Sequence, residues 1–232
     1  YFGPALVEIG LNVAANLLFV RAVEISPLSV TIPFLSFTPV FATAIAIPLL
    51  GELPDPVQLA GIAAVVLGAI ILASGHAVSI GLGPFAFFRA LGHERGAIYM
   101  LLVALMWACT IAIDKAAMQY AALVVHAAVQ NLGVGLVLIT YLLLRRRVGE
   151  LGVIKRHPVP MLATVVFAAG GFALQLVAIK VLLVGVVETL KRAIGLVSAT
   201  VVGRVGFDEP ITISKVLAAL IMAGGTAALM LG

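Results

Sequence analysis

Polar residues are sparse in this chain and fall into short clusters that separate long apolar runs. The runs cover residues 3–23, 28–50, 57–75, 97–117, 122–144, 159–181, 184–206 and 212–231. Each approaches the ~20 residues that an α-helix needs to cross a bilayer. They are rich in Leu, Val, Ala and Ile, without the period-two alternation of a membrane-spanning strand. The pattern predicts an all-α integral membrane protein of about eight transmembrane helices. Turn residues mark the breaks at Glu24-Ile25-Ser26-Pro27, Gly51 to Pro56 and Asp208-Glu209-Pro210. Two connections are longer. Residues 76–96 carry Gly81, Gly83, Pro84, Phe85, Phe87, Phe88 and Arg89, a composition expected of an interfacial loop between two halves. Residues 145–158 carry Arg145, Arg146, Arg147, Lys155 and Arg156, the strongest basic cluster.

Part of the pattern occurs twice. Thr38-Pro39-Val40-Phe41, Leu50-Gly51-Glu52-Leu53-Pro54 and Gln58-Leu59-Ala60-Gly61 form one copy. Leu190-Lys191-Arg192, Gly206 to Thr212 and Lys215-Val216-Leu217-Ala218 form the other. Each is an apolar helix-length run, an acidic turn and a second apolar run, and Glu52 aligns with Glu209 without gaps. A duplicated hydrophobic unit in a very apolar chain is a mark of secondary transporters. The domains expected are 1–75, a partial first repeat of three helices, the loop 76–96, and 97–232, a second repeat of five helices.

Composition agrees. Hydrophobic residues make up 63% of the chain and charged residues 10%. Mean hydropathy is +1.23. Soluble domains carry roughly a quarter charged residues, so a water-soluble fold is close to excluded. The net charge of +4 comes from cations beside apolar spans, which points away from nucleic acid. Cys109, the single cysteine, can form no internal disulfide. No initiator Met or charged leader opens the chain, so it reads as the remainder of a longer polypeptide. If every run spans, one face collects Arg21, Arg89, Arg95, the 145–156 cluster and Arg204. The other has little beyond Lys115 and Lys180, and charge alone places the first face in the cytoplasm.

An ionisable residue inside a span is costly and is a functional candidate by default. Glu188, Lys191 and Arg192 are spaced i, i+3, i+4 and can share one helix face. They would line a cavity, with the cations attracting a carboxylate or phosphate and Glu188 titrating during coupling; a self-satisfied intrahelical ion pair is the equal alternative. Glu8, Asn12 and Asn16 form an i, i+4, i+8 stripe that faces a cavity or other helices, with Glu8 near a wet span end. Gln130 and Asn131, with His126 one turn earlier and expected to be solvated, and Gln175 are further candidates, though amides more often join helices. Asp114 and Lys115 close the fourth span as gating residues or as simple interfacial charges. Pro33, Pro39 and Pro48 should kink or open the second span, and opened helices are where transporters place substrates. Ala60, Ala64 and Gly68, and Ala219, Ala223 and Ala227, are small-residue faces for close helix packing. Glu52 and Glu209 are expected to cap helices or pair with loop cations. No metal-ligand cluster, phosphate-binding loop or nucleophile–base pair is evident in the sequence, so neither cofactor nor metal is expected.

Residues 22–68, with Leu35-Ser36-Phe37-Thr38-Pro39-Val40-Phe41, Gly51-Glu52 and Gln58-Leu59-Ala60-Gly61, resemble the end of an EamA domain. So do Glu188-Thr189-Leu190-Lys191-Arg192 through Gly206-Phe207-Asp208-Glu209-Pro210. Trp107-Ala108-Cys109-Thr110 with Asp114-Lys115 resembles the opening of a second copy. The resemblance is to the drug/metabolite transporter superfamily. It implies two inverted five-helix repeats, the first lacking its opening two helices, and a bacterial cytoplasmic membrane location. It also implies alternating-access transport, usually export, of small metabolites such as amino acids or amphipathic drug-like compounds, with protons as a possible coupling ion. Both termini would be cytoplasmic and the 145–156 loop outside, against the charge count; the two readings stay open. The alternative class is a non-transporting membrane scaffold or inactive truncated paralogue. The expected partners are lipid and a small solute, without nucleic acid; an oligomeric state is not legible.

Overall fold

A computed structural model describes residues 1–26, 31–79, 94–207 and 212–231. Their regular structure is entirely helical. The long helices are α1 (Phe2–Ile25), α2 (Thr38–Leu50, preceded by the 3₁₀ segment Ile32–Phe37), α3 (Pro56–Ser79), α4 (Arg95–Ala117), α5 (Leu123–Leu144), α7 (Pro158–Val181), α8 (Val184–Phe207) and α9 (Ile213–Leu231). A short α6 (Gly152–Arg156) lies in the basic connection. Among the described residues seven segments are long and apolar enough to cross a membrane, with Ile32–Leu50 counted as one. The eighth expected span, α8, has the length, but Glu188, Lys191 and Arg192 fall within two of its turns. The aromatic part of the 76–96 loop and the second acidic turn, with Glu209, lie outside the described residues.

α4 is the central helix. Its Ala97, Met100, Val103 and Ala104 pack with Ala15 and Ala22 of α1 and with Phe34 and Leu35. Further along, Ala108 and Ile111 pack with Ala42 and Ala46 of α2, Leu176 and Ile179 of α7, and Val184 and Val187 of α8. α1 runs antiparallel to α4. Ser26 at its end donates to Glu94 Oε2, 2.7 Å away, at the start of α4. The second core joins Val65 of α3, Ala193 of α8, and Ala218 and Met222 of α9.

The second span changes from 3₁₀ to α at Pro39, while Pro48 lies within the α-helix. Pro39 cannot donate to the Leu35 carbonyl. The Thr38 hydroxyl does so instead, at 2.6 Å, and the 3₁₀ segment passes into α2 at that point. Gly51 ends α2 at φ +69°, a left-handed conformation that glycine adopts without strain. Asp55 and Gln58 then cap α3 reciprocally: Gln58 N–H donates to Asp55 Oδ1 (2.8 Å), and Asp55 N–H to Gln58 Oε1 (3.2 Å).

α3 and α9 make the closest helix pair. Of the small stripe read in the sequence on α3, Ala64 and Gly68 lie on this face and Ala60 does not; on α9 the face is shifted by about one residue from Ala219, Ala223 and Ala227. Gly61, Val65 and Gly68 meet Ala218, Met222, Gly225 and Leu229, while Ala60, Ala223 and Ala227 point outward. The reason is backbone approach: a Cβ on Gly61 would stand 2.7 Å from the Gly225 carbonyl oxygen, and one on Gly225 2.8 Å from that of Gly61. Alanine is otherwise the better helix former by about 1 kcal/mol. Gly61→Ala and Gly225→Ala should nonetheless destabilise, by about 1–3 kcal/mol of overpacking. Gly10→Ala, where nothing lies within 4 Å, should be neutral or stabilising. Thermal unfolding in detergent, followed by size-exclusion chromatography, checks this; equal behaviour of Gly61→Ala and Gly10→Ala would show that the helices do not touch.

Candidate functional site

Side chains from four helices converge on a cavity of about 220 Å³. α1 contributes Asn12. α4 contributes Trp107, Thr110 and Asp114, spaced i, i+3, i+7 along one face. α7 contributes Phe172 and Gln175, and α8 contributes Glu188, Lys191 and Arg192. Helical periodicity explains why each set lies together. The cavity thus holds both signs of charge, two aromatic rings and three neutral polar groups.

The α8 charges are only partly matched among themselves. Lys191 Nζ donates to Glu188 Oε1 and, at 2.5 Å, to Gln175 Oε1 on α7. Its side chain is still 45% exposed, whereas that of Glu188 is 3% exposed. Arg192 Nη2 donates to the Thr38 hydroxyl, 3.2 Å away, at the proline break of the second span. Glu188 Oε2 and Arg192 Nε are buried without a hydrogen-bond partner. Buried polar groups normally find partners, so these atoms are the ones a bound solute can satisfy.

Lys115 does not line the cavity. It pairs with Glu52 Oε1 at 2.5 Å and donates to the Leu182 carbonyl at 2.7 Å. Glu52 Oε2 accepts the Val184 N–H at 2.7 Å, where the first turn of α8 leaves donors without intrahelical partners. Glu52 therefore caps α8, far along the chain, while Asp55 caps the adjacent α3.

Glu8, Asp114 and His126 come together under α1, α4 and α5. Their exposures are 0%, 1% and 0%, so neither Glu8 nor His126 is wet, although both lie near span ends. His126 Nε2 is 2.8 Å from Asp114 Oδ1 and 3.5 Å from Glu8 Oε2. Tyr1 Oη is 3.2 Å from His126 Nδ1. Burial by neighbouring helices, not depth along the span, decides solvation here.

The other candidates stand apart. Asn16 donates to the Asn12 carbonyl of its own helix (2.7 Å). Gln130 is buried and donates across to Ala5 O on α1 at 3.2 Å. Asn131 is exposed and donates to Ala127 O of its own helix at 2.8 Å. Trp107, Thr110 and Phe172 were not singled out as site residues. Their i, i+3, i+7 and i, i+3 spacing to Asp114 and Gln175 is the pattern that could have found them.

The brace between Glu52, Lys115 and Val184 should be energetically coupled. Glu52→Ala leaves both the lysine ammonium and a helix-terminal N–H short of an acceptor. A loss of about 1–3 kcal/mol is expected for unpaired buried groups. In a double-mutant cycle with Lys115→Met, measured by detergent unfolding, the coupling should reach at least about 1 kcal/mol; strict additivity would show that the pair contributes nothing.

Residues 5–74, from α1 through most of α3, match the model of the EamA-like transporter family. That stretch holds Glu8, Asn12, the three prolines and Glu52. No curated protein matches the chain. Apolar helices of spanning length with a polar cavity among them make this an integral membrane protein, and its residues 5–74 are similar to the EamA-like transporter family.

Proposed function

We propose that the protein is a secondary-active exporter of small amphipathic metabolites, amino acids among them, working by alternating access around the cavity between α1, α4, α7 and α8. The observation that carries this reading is the pair of unsatisfied, oppositely charged groups in one wall: Arg192 Nε and Glu188 Oε2. A zwitterion would set its carboxylate against Arg192 and Lys191 and its ammonium against Glu188, with Trp107 and Phe172 taking the apolar part. Charge-assisted bonds are the strong ones, and the guanidinium holds carboxylates bidentately. The proline break beside Thr38 supports the same reading, because opened helices supply movable backbone next to transporter sites.

Counterflow in proteoliposomes tests this, with protein made from the complete reading frame and a panel of amino acids, organic anions and cationic drugs. One solute class should exchange. Arg192→Gln and Lys191→Gln should each slow that exchange at least about 10-fold, since a lost charge-assisted bond costs about 1.5–3 kcal/mol. Lys155→Gln, on the exposed connection, should leave it unchanged. Undiminished exchange in both cavity variants would move the solute path elsewhere. No exchange of any solute by folded protein would favour a non-transporting scaffold.

A further inference from the structure

We propose that Glu8, Asp114 and His126 bind one divalent transition-metal ion, of the Zn²⁺, Co²⁺ or Mn²⁺ class, between α1, α4 and α5 beside the cavity. The three residues can each direct one ligand atom to a common point, with all three atoms within 4.8 Å of one another. A tetrahedral ion with bonds of about 2.1 Å holds its ligands about 3.4 Å apart. The Glu8–His126 separation of 3.5 Å already matches, and the 2.8 Å Asp114–His126 hydrogen bond opens slightly when an ion replaces its proton. One imidazole with two carboxylates is a donor set suited to borderline divalent ions.

Two further observations point to a ligand rather than to a self-contained cluster. Glu8 is completely buried, and its carboxyl group faces only Asp114 and His126, with no donor from any other residue within hydrogen-bond distance. Two carboxyl groups facing each other in an apolar interior are expensive as a pair of anions unless a cation joins them. In addition, His126 Nδ1 is held by Tyr1 Oη, the outer contact that orients a metal-binding imidazole and directs Nε2 at the ion. On metal uptake the ring stays neutral and its N–H passes from Nε2 to Nδ1. The Tyr1 hydroxyl then accepts instead of donating. Both carboxyl groups bind as carboxylates, so any proton on them leaves to solvent. The dianionic pair and the dication cancel, which leaves the site neutral inside the membrane. Asp114 also lines the cavity, so the site adjoins it.

The test is binding to the metal-stripped full chain in detergent, which does not depend on whether the protein transports anything. Calorimetry with Zn²⁺ and visible titration with Co²⁺ should each give one equivalent, the Co²⁺ bands having four-coordinate intensity. Glu8→Gln and His126→Asn should abolish this stoichiometric uptake. Tyr1→Phe removes a single hydroxyl and leaves the packing in place; it should weaken uptake about 10-fold or more, the usual effect of losing an outer contact. Absence of stoichiometric uptake by the wild-type chain would overturn the site. So would uptake that Glu8→Gln, His126→Asn and Tyr1→Phe leave unchanged.

Discussion

Inside a membrane protein, a charge that cannot reach water must find its partner within the fold, and this constraint organises the molecule. Desolvating an ion costs several kcal/mol unless other groups replace the water. Among the described residues, the internal charges are accordingly gathered around α4: Glu8, Asp114 and His126 beside α1 and α5, Glu188, Lys191 and Arg192 beside α7, and Lys115 with Glu52, while the outward faces of α5, α7 and α9 are nearly all apolar. α4 makes this possible. Its alanine-rich faces let α1, α2, α7 and α8 approach closely, and its remaining face presents Trp107, Thr110 and Asp114 to the gap they leave.

The proline break and the α8 charges belong to one arrangement. Pro39 removes a donor, Thr38 supplies one to the stranded Leu35 carbonyl, and the same hydroxyl accepts from Arg192. A local backbone defect is thus tied to a cavity cation through one oxygen. At the other end of the same span, Gly51 turns the chain so that Glu52 reaches the first turn of α8. Both ends of α2 therefore act on α8, which runs antiparallel to it, and the register of Glu188, Lys191 and Arg192 in the cavity follows from these two contacts.

Much of this was legible from apolar run length and helical spacing. Residue pattern alone placed the helices to within a few residues and put Glu188, Lys191 and Arg192 on one face. It also pointed to the irregular second span, where a 3₁₀ segment passes into α2 at Pro39. What it missed depends on contacts between helices far apart in sequence. Nothing local to Glu52 says that its carboxylate caps a helix starting at Val184. Nothing local to Glu8 or His126 says that α1 and α5 bury them against Asp114, since depth along a span suggested water. The small-residue face of α9 was read one residue out, and that of α3 was right at Ala64 and Gly68 but not at Ala60, because Ala60-Gly61 and Gly224-Gly225 offer two registers and only backbone approach at Gly61 and Gly225 chooses between them.

The cavity walls are not held equally firmly. α3 and α9 are locked backbone to backbone at Gly61 and Gly225, and α1 and α4 share a long core. α7, which supplies Phe172 and Gln175, buries only Leu176 and Ile179 and meets several neighbours over short stretches. Local stability follows buried contact, so displacing α7 costs less than displacing α3 from α9. Its polar tie to the cavity is Gln175, which shares Lys191 with Glu188. A solute that draws the Lys191 ammonium toward its own carboxylate weakens that tie. Under the proposed function, occupancy of the cavity would be linked to release of its least anchored wall through one amine, the kind of differential contact by which a ligand shifts a conformational equilibrium.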